Sequence, residues 1–487
     1  MKYFNAFLIM VLVVLTSCSS PTADITILHW NDFHSHNTSW VPTNYNRDKH
    51  TVGGYALLDA YLDSLERVYP GALRVHAGDD FQGSPVCAVT KGASQIDILN
   101  TVKPDFFTIG NHEFDYGWKH LDSLRMHLAK FGMYAANLID DETGENATPQ
   151  FRVFFRKGYR FALIALTTPY LNELTLPANL EGVEVADPAE TAKNLISLLE
   201  SRGIDLFVVV SHMGIGLDRQ LAEAVPEIDL IVGGHSHTYM REAEQVNGVW
   251  IVQANDHGRY IGITKFHVDN GDITSLDMEY EETIAGKLKP SKDVAAVVEK
   301  YEELVAEEMD KLIGTLETPW RSGGDESNLG NWIADAFREA TGTDIAMMNN
   351  GGIRKGLDKG PIYVRDIWEI SPFGNTLVTF EWTGKELMDA MDYMAAHGRS
   401  MQVSGMDMML EENVGLVDIL VGEEEVDPQK VYTVCVNNYT ASQAEKYFGT
   451  TIKNLRETGL VDRDVLVKAV KKEPVIRSEI EGRVIIL

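Results

Sequence analysis

Residues 25–36 read ITILHWNDFHSH: an apolar run of strand length, ITILHW, passes directly into a loop that carries Asp32 and His34. The same construction recurs along the chain. ALRVHA at 72–77 precedes Asp79, FFTIG at 106–110 precedes Asn111, LFVVV at 206–210 precedes His212, and LIVGG at 230–234 precedes His235 and His237. In open α/β sheets ligands collect beyond the carboxyl ends of the strands, so these loops predict one shared site at one edge of a sheet. Carboxylate, amide and imidazole side chains suit ions that act on hard phosphate oxygens and on water. The donor set therefore predicts a dinuclear centre, in which two ions about 3.5–4 Å apart handle the attacking water and the phosphoryl oxygens. Asp79 is the candidate bridging carboxylate, because Gly78 lets the chain turn sharply and the polar loop DFQGSP after it leaves room for a ligand.

The segment GNHEFDYG at 110–117 places His112 beside the ligand candidate Asn111 and Asp115 three residues further on. If the segment makes a helical turn, Asp115 orients and charges the imidazole, as an acid partner does in a triad. A cationic His112 is then placed to stabilise developing phosphoryl charge or to protonate the leaving oxygen. Other histidines in this half, His29, His36 and His76, are not required by the constellation and are assigned structural roles.

The chain has 487 residues, 44% hydrophobic and 24% charged, enough for two large domains each with its own core. Its net charge of −29 argues against general affinity for a nucleic-acid polymer or an anionic membrane. An anionic substrate must be drawn in locally, by metals and a few arginines. At the N-terminus, Lys2, the apolar stretch Phe7 to Leu15 and the sequence Leu15-Thr16-Ser17-Cys18 form a signal peptide over 1–17 with a bacterial lipoprotein cleavage motif. The apolar run is shorter than the ~20 residues a membrane span needs. Lipidation at Cys18 would hold the exported chain at a membrane of the cell envelope, on the periplasmic face or the cell surface, through a short tether over 18–23. Cys87 and Cys435 are then left as two buried thiols rather than a disulfide.

Strands and helices alternate to about residue 240. Leu57, Leu58, Tyr61, Leu62, Leu65 and Val68 fall at helical spacing, and Asp187-Pro188 opens a helix that closes at Gly203. Strands at 250–283 turn at Asn270-Gly271. Val294, Val297, Tyr301, Leu304, Val305 and Met309 mark a connecting amphipathic helix. A further helix, Asn328–Thr341, has Ser327 to cap it and Gly342 to end it. The domain boundaries are placed at 24–285 for the first α/β domain, 286–312 for the linker and 313–487 for the second α/β unit.

ILHWNDFHSH, HAGDDFQGSP, GNHEFDYG, VVVSHMG and GGHSHT, followed by ESNLGNWIADA and NNGGIR, resemble the secreted bacterial 5′-nucleotidase/UDP-sugar hydrolase family over nearly the whole mature chain. The resemblance implies an α/β architecture: an N-terminal αββα sandwich of the calcineurin-like metallophosphoesterase type, a linking helix, and a C-terminal α/β substrate-binding domain that rotates its nucleoside ligand to the metals. It implies one metal on Asp32, His34, Asp79 and His237 and another on Asp79, Asn111, His212 and His235, with His112 and Asp115 as the catalytic pair and Mn, Zn or Co as the ions. It also makes Arg354, in NNGGIRK, the substrate-binding arginine. Family members sandwich the base between two aromatic rings, and here the pattern changes. SMQVSG at 400–405 puts Ser400 at the first ring, and NNYTASQAEKYF puts Tyr439 at the second, with Glu445 near the usual ribose-binding aspartate. Hydrolysis of nucleotide monoesters, and of nucleotide diphosphate linkages, is the expected activity. The alternatives are a cyclic-nucleotide phosphodiesterase, a 3′-nucleotidase or another phosphoesterase with altered base recognition. A non-catalytic nucleotide-binding surface lipoprotein predicts decay of the ligand set, which is intact.

Overall fold

The computed structural model describes residues 22–42, 50–411 and 414–487. The leader at 1–17 and the lipidation residue Cys18 lie outside the described residues. The first half runs through β1 (Ala23–Trp30), β2 (Leu73–His76), β3 (Phe106–Thr108), β4 (Met133–Tyr134), β5 (Leu138–Asp140), β6 (Phe151–Arg156), β7 (Tyr159–Thr167), β8 (Val183–Val185), β9 (Leu206–His212), β10 (Leu230–Gly233), β11 (Glu244–Val246), β12 (Val249–Gln253), β13 (Tyr260–Asp269) and β14 (Asp272–Glu282). Two sheets result, ordered β14-β13-β1-β2-β3-β4 and β11-β12-β10-β9-β7-β6. In the first sheet β1, β2, β3 and β4 are parallel neighbours, and β13 and β14 add an antiparallel flank. Asn270-Gly271 joins that flank with φ of 56° and 96°, the paired positive values of a two-residue hairpin loop.

Along β1 the side chains alternate. Ile25 and Ile27 enter a core shared with Phe161, Leu163, Val208 and Val232 of the other sheet. Leu28 and Trp30 pack on the opposite side with Leu58 and Leu62 of the helix Tyr55–Val68. On the second sheet Phe207 and Val209 meet Leu195 and Leu221 of the helices Pro188–Glu200 and Ile215–Ala224. Both faces of each sheet are therefore covered, which is why the strands read as unbroken apolar runs. The layers are helix, sheet, sheet, helix, as the family resemblance implied. One expectation needs correction: the donor loops do not share one sheet edge. β1, β2 and β3 come from one sheet and β9 and β10 from the other, so the site straddles the sandwich. Thr108 Oγ1, donating to Val210 O at 2.9 Å, ties the two sheets together beneath it.

Asp187 caps its helix by accepting from Glu190 N, and Ser327 caps the helix Asn328–Thr341 through Gly330 N, with Gly342 at φ 68° ending it. The apolar stripes extend less far than expected. Val68 is 64% exposed in the last turn of its helix, where the chain has already left the sheet. Leu304 is 63% exposed on the linker helix Lys292–Met309, whose buried face is Val294, Val298, Val305 and Met309. That helix bonds to both halves: Tyr301 donates to Asp97 Oδ2 at 2.7 Å, and Arg365 pairs with Glu302 at 3.2 Å. The strand Leu312–Leu316 opens the second α/β unit. Its main sheet places Ile345–Asn349 between Met401–Ser404 and Val431–Asn437, so the strand end that leads to Arg354 faces the first domain. Cys87 and Cys435 are both free and buried, in separate cores.

Candidate metal centre and substrate cleft

The loops at the carboxyl ends of β1, β2, β3, β9 and β10 converge. Asp32, His34, Asp79, His235 and His237 all hold positive φ, at 49°, 48°, 58°, 71° and 51°. A non-glycine residue in this region costs on the order of 1–3 kcal/mol, and such strain persists where the surroundings over-determine it, as at functional sites. Two glycines make the close approach feasible. A Cβ on Gly78 (φ 92°) would stand 2.7 Å from His212 Nδ1, and one on Gly110 would stand 2.2 Å from Asp79 Oδ1.

The inward atoms form three groups that could hold a metal: Asp32 with His34 and His237, Asp79 with His212 and His235, and His34 with Asp79 and His112, which overlaps both. Asp79 Oδ2 lies 3.0 Å from His212 Nε2, and Asp32 Oδ1 lies 3.4 Å from His237 Nε2. His34 Nε2 and His237 Nε2 face each other at 3.0 Å. The outer nitrogens are already committed. His212 Nδ1 is 2.6 Å from Ala77 O, which only accepts, so Nδ1 keeps its proton and Nε2 is the nitrogen that presents a lone pair once the ring is neutral. His237 Nδ1 is likewise held by Asp256 Oδ2 at 3.0 Å. Asp32 Oδ1, Asn111 Oδ1 and His212 Nε2 are buried with no well-formed hydrogen bond, the carboxylate–imidazole approaches at 3.0 and 3.4 Å being ion-pair contacts only. Buried polar atoms are normally satisfied, so such atoms beside the grouped donors fit a cation there.

The electrostatics agree. Burial disfavours a charged imidazole at His212, but Asp79 outweighs it and raises the pKa to about 9. His237 rises against its own burial to about 10 because of Asp32 and Asp256. His235, buried and close to His212, falls to about 4. Asp79, despite burial, is held well below the usual carboxylate range by His212 and His112. The cluster thus demands positive charge, and in the absence of metal draws it in as protons.

His112–Phe114 forms a 3-10 turn that places His112 Nδ1 3.0 Å from Asp115 Oδ2. The backbone N–H of His112 donates to Asp79 Oδ1 at 2.8 Å, tying this turn to the bridging candidate. Burial opposes charge on His112, but Asp115 and Asp79 outweigh it and raise its pKa. With Nδ1 engaged, Nε2 is the atom left to meet a substrate.

A cavity of about 540 Å³ opens above these residues and reaches the second domain. Arg354 is exposed and lines this space from the second domain, with Asp79, Asp115 and Asp32 as electrostatic neighbours. Its guanidinium lies 6.0 Å above the Phe373 ring and has no carboxylate within salt-bridge distance among the described residues. Tyr439 lines the same cavity, and its hydroxyl donates to Glu173 O at 2.7 Å. Glu445 does not reach it. It is exposed on the helix Ala444–Phe448, because that loop has folded into helical turns that point it to solvent, which corrects its placement among the substrate-binding residues. Ser400 pairs with Asn350 Nδ2 at 3.1 Å and is not part of the cavity wall.

Several residues of the site were missed by sequence reasoning. Phe373 stacks on His112, ring centroids 5.7 Å apart at 28°. Its turn is held by Ser371 Oγ donating to Asp462 at 3.0 Å and by Asp462 N donating to Asn375 O at 2.8 Å. The signal was the turn sequence SPFGN, which carries no ligand type. Asp256 follows β12, another strand of the same sheet, so the rule that found the other loops also covers it. Glu113 accepts four backbone N–H groups, from Asp79, Asp80, Phe81 and Gly110, at 3.1, 2.8, 3.1 and 2.7 Å, and so clamps the Asp79 and Asn111 loops together.

Such a centre, with its imidazole–carboxylate pair and a facing arginine, defines a metallophosphoesterase. Comparison with known proteins agrees. Residues 25–239 match the calcineurin-like phosphoesterase family, and residues 312–451 match the 5′-nucleotidase C-terminal domain. The chain is 27% identical to a 5′-nucleotidase of Vibrio vulnificus (strain CMCP6), covering 95% of this chain and 94% of that protein. It is 30% identical to Endonuclease YhcR of Bacillus subtilis (strain 168) over 94% of its own length, and spans 41% of that protein. The crystal structure of a 5′-nucleotidase precursor from Thermus thermophilus superposes with a TM-score of 0.86 at 27% identity, covering 96% of this chain and 99% of that one. The chain belongs to the family that joins a calcineurin-like phosphoesterase domain to a 5′-nucleotidase C-terminal domain, and is a metal-dependent phosphoester hydrolase.

Proposed function

We propose that the protein hydrolyses nucleoside 5′-monophosphates to nucleoside and orthophosphate on two divalent cations, Mn, Zn or Co. The observation that carries this is the convergence of donor side chains from five strand ends, three of them with an orphaned buried atom, on one space faced by an arginine that has no carboxylate partner among the described residues. Asp32, His34, Asp79 and His237 hold one ion, and Asp79, Asn111, His212 and His235 the other. When bound, the ions supply Lewis acidity towards the phosphoryl oxygens and make water a nucleophile near neutral pH. Arg354 meets the phosphate oxygens from the second domain. His112, kept cationic by Asp115, stabilises charge on the phosphoryl group and gives its Nε2 proton to the ester oxygen as the P–O bond breaks. Asp256 and Ala77 O orient His237 and His212 so that their Nε2 atoms point inward.

Action on nucleotide diphosphate linkages is a secondary expectation of the same site. A phosphoesterase with altered base recognition, such as a cyclic-nucleotide phosphodiesterase or 3′-nucleotidase, is the second reading. It is favoured by one observation: Ser400 and Glu445 both stand away from the cavity. We also propose that the chain is exported and lipid-anchored at Cys18 to the cell envelope, on the strength of Lys2, the apolar stretch 7–15 and the LTSC sequence. Among the described residues no helix is long and apolar enough to cross a membrane. The test is phosphate release by metal-reconstituted protein lacking residues 1–18 across nucleoside monophosphates, a UDP-sugar, a cyclic nucleotide and a non-nucleoside ester. Strong preference for 5′-nucleotides is expected, and equal rates across the set would overturn the substrate assignment.

A further inference from the structure

Between the catalytic turn and the second domain lies the segment 171–180, two short 3-10 turns, Leu171–Glu173 and Pro177–Leu180, flanking Leu174, Thr175 and Leu176. It is fastened at both ends. On the catalytic side, Asn179 Nδ2 donates to Asp115 O at 3.1 Å and to Thr175 Oγ1 at 2.9 Å. On the other side three residues of the second domain grip it. Tyr439 Oη donates to Glu173 O at 2.7 Å, Gln443 Nε2 donates to Asn172 O at 3.0 Å, and Lys446 Nζ lies 3.2 Å from Glu173 Oε2. These three belong to the stretch 438–448, which forms the short helices Asn438–Ser442 and Ala444–Phe448.

The clamp has a consequence for the cavity. Leu174 and Leu176 are half-buried and line it, and Tyr439 and Tyr447 line it from the second domain. The apolar area these two half-buried leucines leave open lies on the cavity wall, where a flat apolar group would cover it. The two-ring arrangement expected of the family is not available here, since Ser400 stands at the first ring and is turned towards Asn350. We infer that Leu174 and Leu176 of the first domain supply the missing wall, so that the base of a nucleotide is held in a slot formed by these leucines together with Tyr439 and Tyr447. This rests on the nucleotide reading above and deepens it. Leucine offers area without hydrogen bonds, so the slot accepts any base and favours the larger purines. Because its two sides belong to different domains, the slot exists only in the closed arrangement.

The experiment compares kcat/KM for adenosine 5′-monophosphate with kcat/KM for p-nitrophenyl phosphate, which has no nucleoside, in the metal-loaded wild type and in Leu174→Ala, Leu176→Ala and Leu174→Met. The nucleotide-to-nitrophenyl ratio is expected to fall roughly tenfold in each alanine variant, mainly through KM, the range seen when a substrate's apolar contact is cut back. Leu174→Met, which preserves apolar area, should restore most of it. A ratio that stays at the wild-type value in both alanine variants overturns the wall, even where the wild type prefers the nucleotide. A wild type with no such preference overturns instead the nucleotide reading beneath it.

Discussion

The metal edge of the first domain and the substrate face of the second use the chain in opposite ways. At the metal edge each donor sits within a few residues of a strand end, and its outer atoms are bound to local backbone or to a neighbouring loop, as His212 is to Ala77 O and Glu113 to four N–H groups. At the substrate face the lining residues are spread from Arg354 to Tyr447, and their orientation depends on helical turns and on the other domain. The first arrangement is rigid and local, the second assembled and conditional. Mutations should therefore abolish chemistry in one region and shift affinity in the other.

The largest effect is expected at the bridging position. Asp79→Ala removes a donor from both ion sites proposed above and leaves His112 N and His212 Nε2 without their carboxylate. The loss of metal-assisted charge stabilisation is worth several kcal/mol, so phosphate release should fall by roughly a thousandfold or more. Far-UV circular dichroism should stay that of the wild type, because the sandwich core does not involve this side chain. A variant retaining a tenth of wild-type activity would break the assignment of the centre. His112→Ala follows, with an expected drop in kcat of about 10²- to 10⁴-fold at saturating metal, the usual contribution of a positioned proton donor. Unaltered metal binding, followed by calorimetry, separates it from the Asp79 variant.

This contrast also explains what was legible in the sequence. The donors could be found because strand, turn and ligand are adjacent, and a buried strand with both faces covered has an unmistakable apolar run. Caps at Ser327 and Asp187 and the Asn270-Gly271 turn were legible for the same reason, since each is a local hydrogen-bond or φ requirement. The single shared sheet edge was not, because nothing local tells a strand which sheet it joins. Val68 overshot because helical periodicity continues past the point where the neighbour ends, and Leu304 because the buried face of its helix runs through Val298, Val305 and Met309 beside it. Glu445 went astray for a related reason. Its position followed from the resemblance alone, and here the stretch is helical, which re-aims every side chain it contains.

Metal exchange sharpens the comparison at an intermediate scale. His212 and His237, with pKa values of about 9 and 10, are protonated in metal-free protein at neutral pH and must lose those protons to bind a cation. Raised imidazole pKa values stabilise the metal-free fold below their ordinary value of about 6.5, and that support is lost as pH rises through about 9 to 10. Metal affinity should move the other way, increasing with pH over the same interval. Calorimetry in buffers of different ionisation enthalpy should show protons released on binding, and an affinity independent of pH from about 7 to 9 would contradict the coupling. Asp256→Ala, which frees His237 Nδ1, should weaken metal binding by about 10- to 100-fold while leaving kcat at saturating metal close to wild type.

The smallest effect is expected where the two regions meet. Tyr439→Phe keeps the ring in the cavity and removes only the hydroxyl that donates to Glu173 O across the domain boundary. A hydrogen bond of this kind contributes about 0.5–1.5 kcal/mol net, so the closed arrangement should lose roughly two- to tenfold in population. Because this contact joins the segment 171–180 to the second domain and touches no metal donor, the loss should appear in KM for the nucleotide and in a faster release of product, with the metal affinity unmoved. Gln443 and Lys446 still hold residues 172 and 173, which keeps the effect small. If Tyr439→Phe instead lowered metal affinity as Asp256→Ala does, the two regions would be one rigid unit, and the division between local chemistry and conditional recognition would fail.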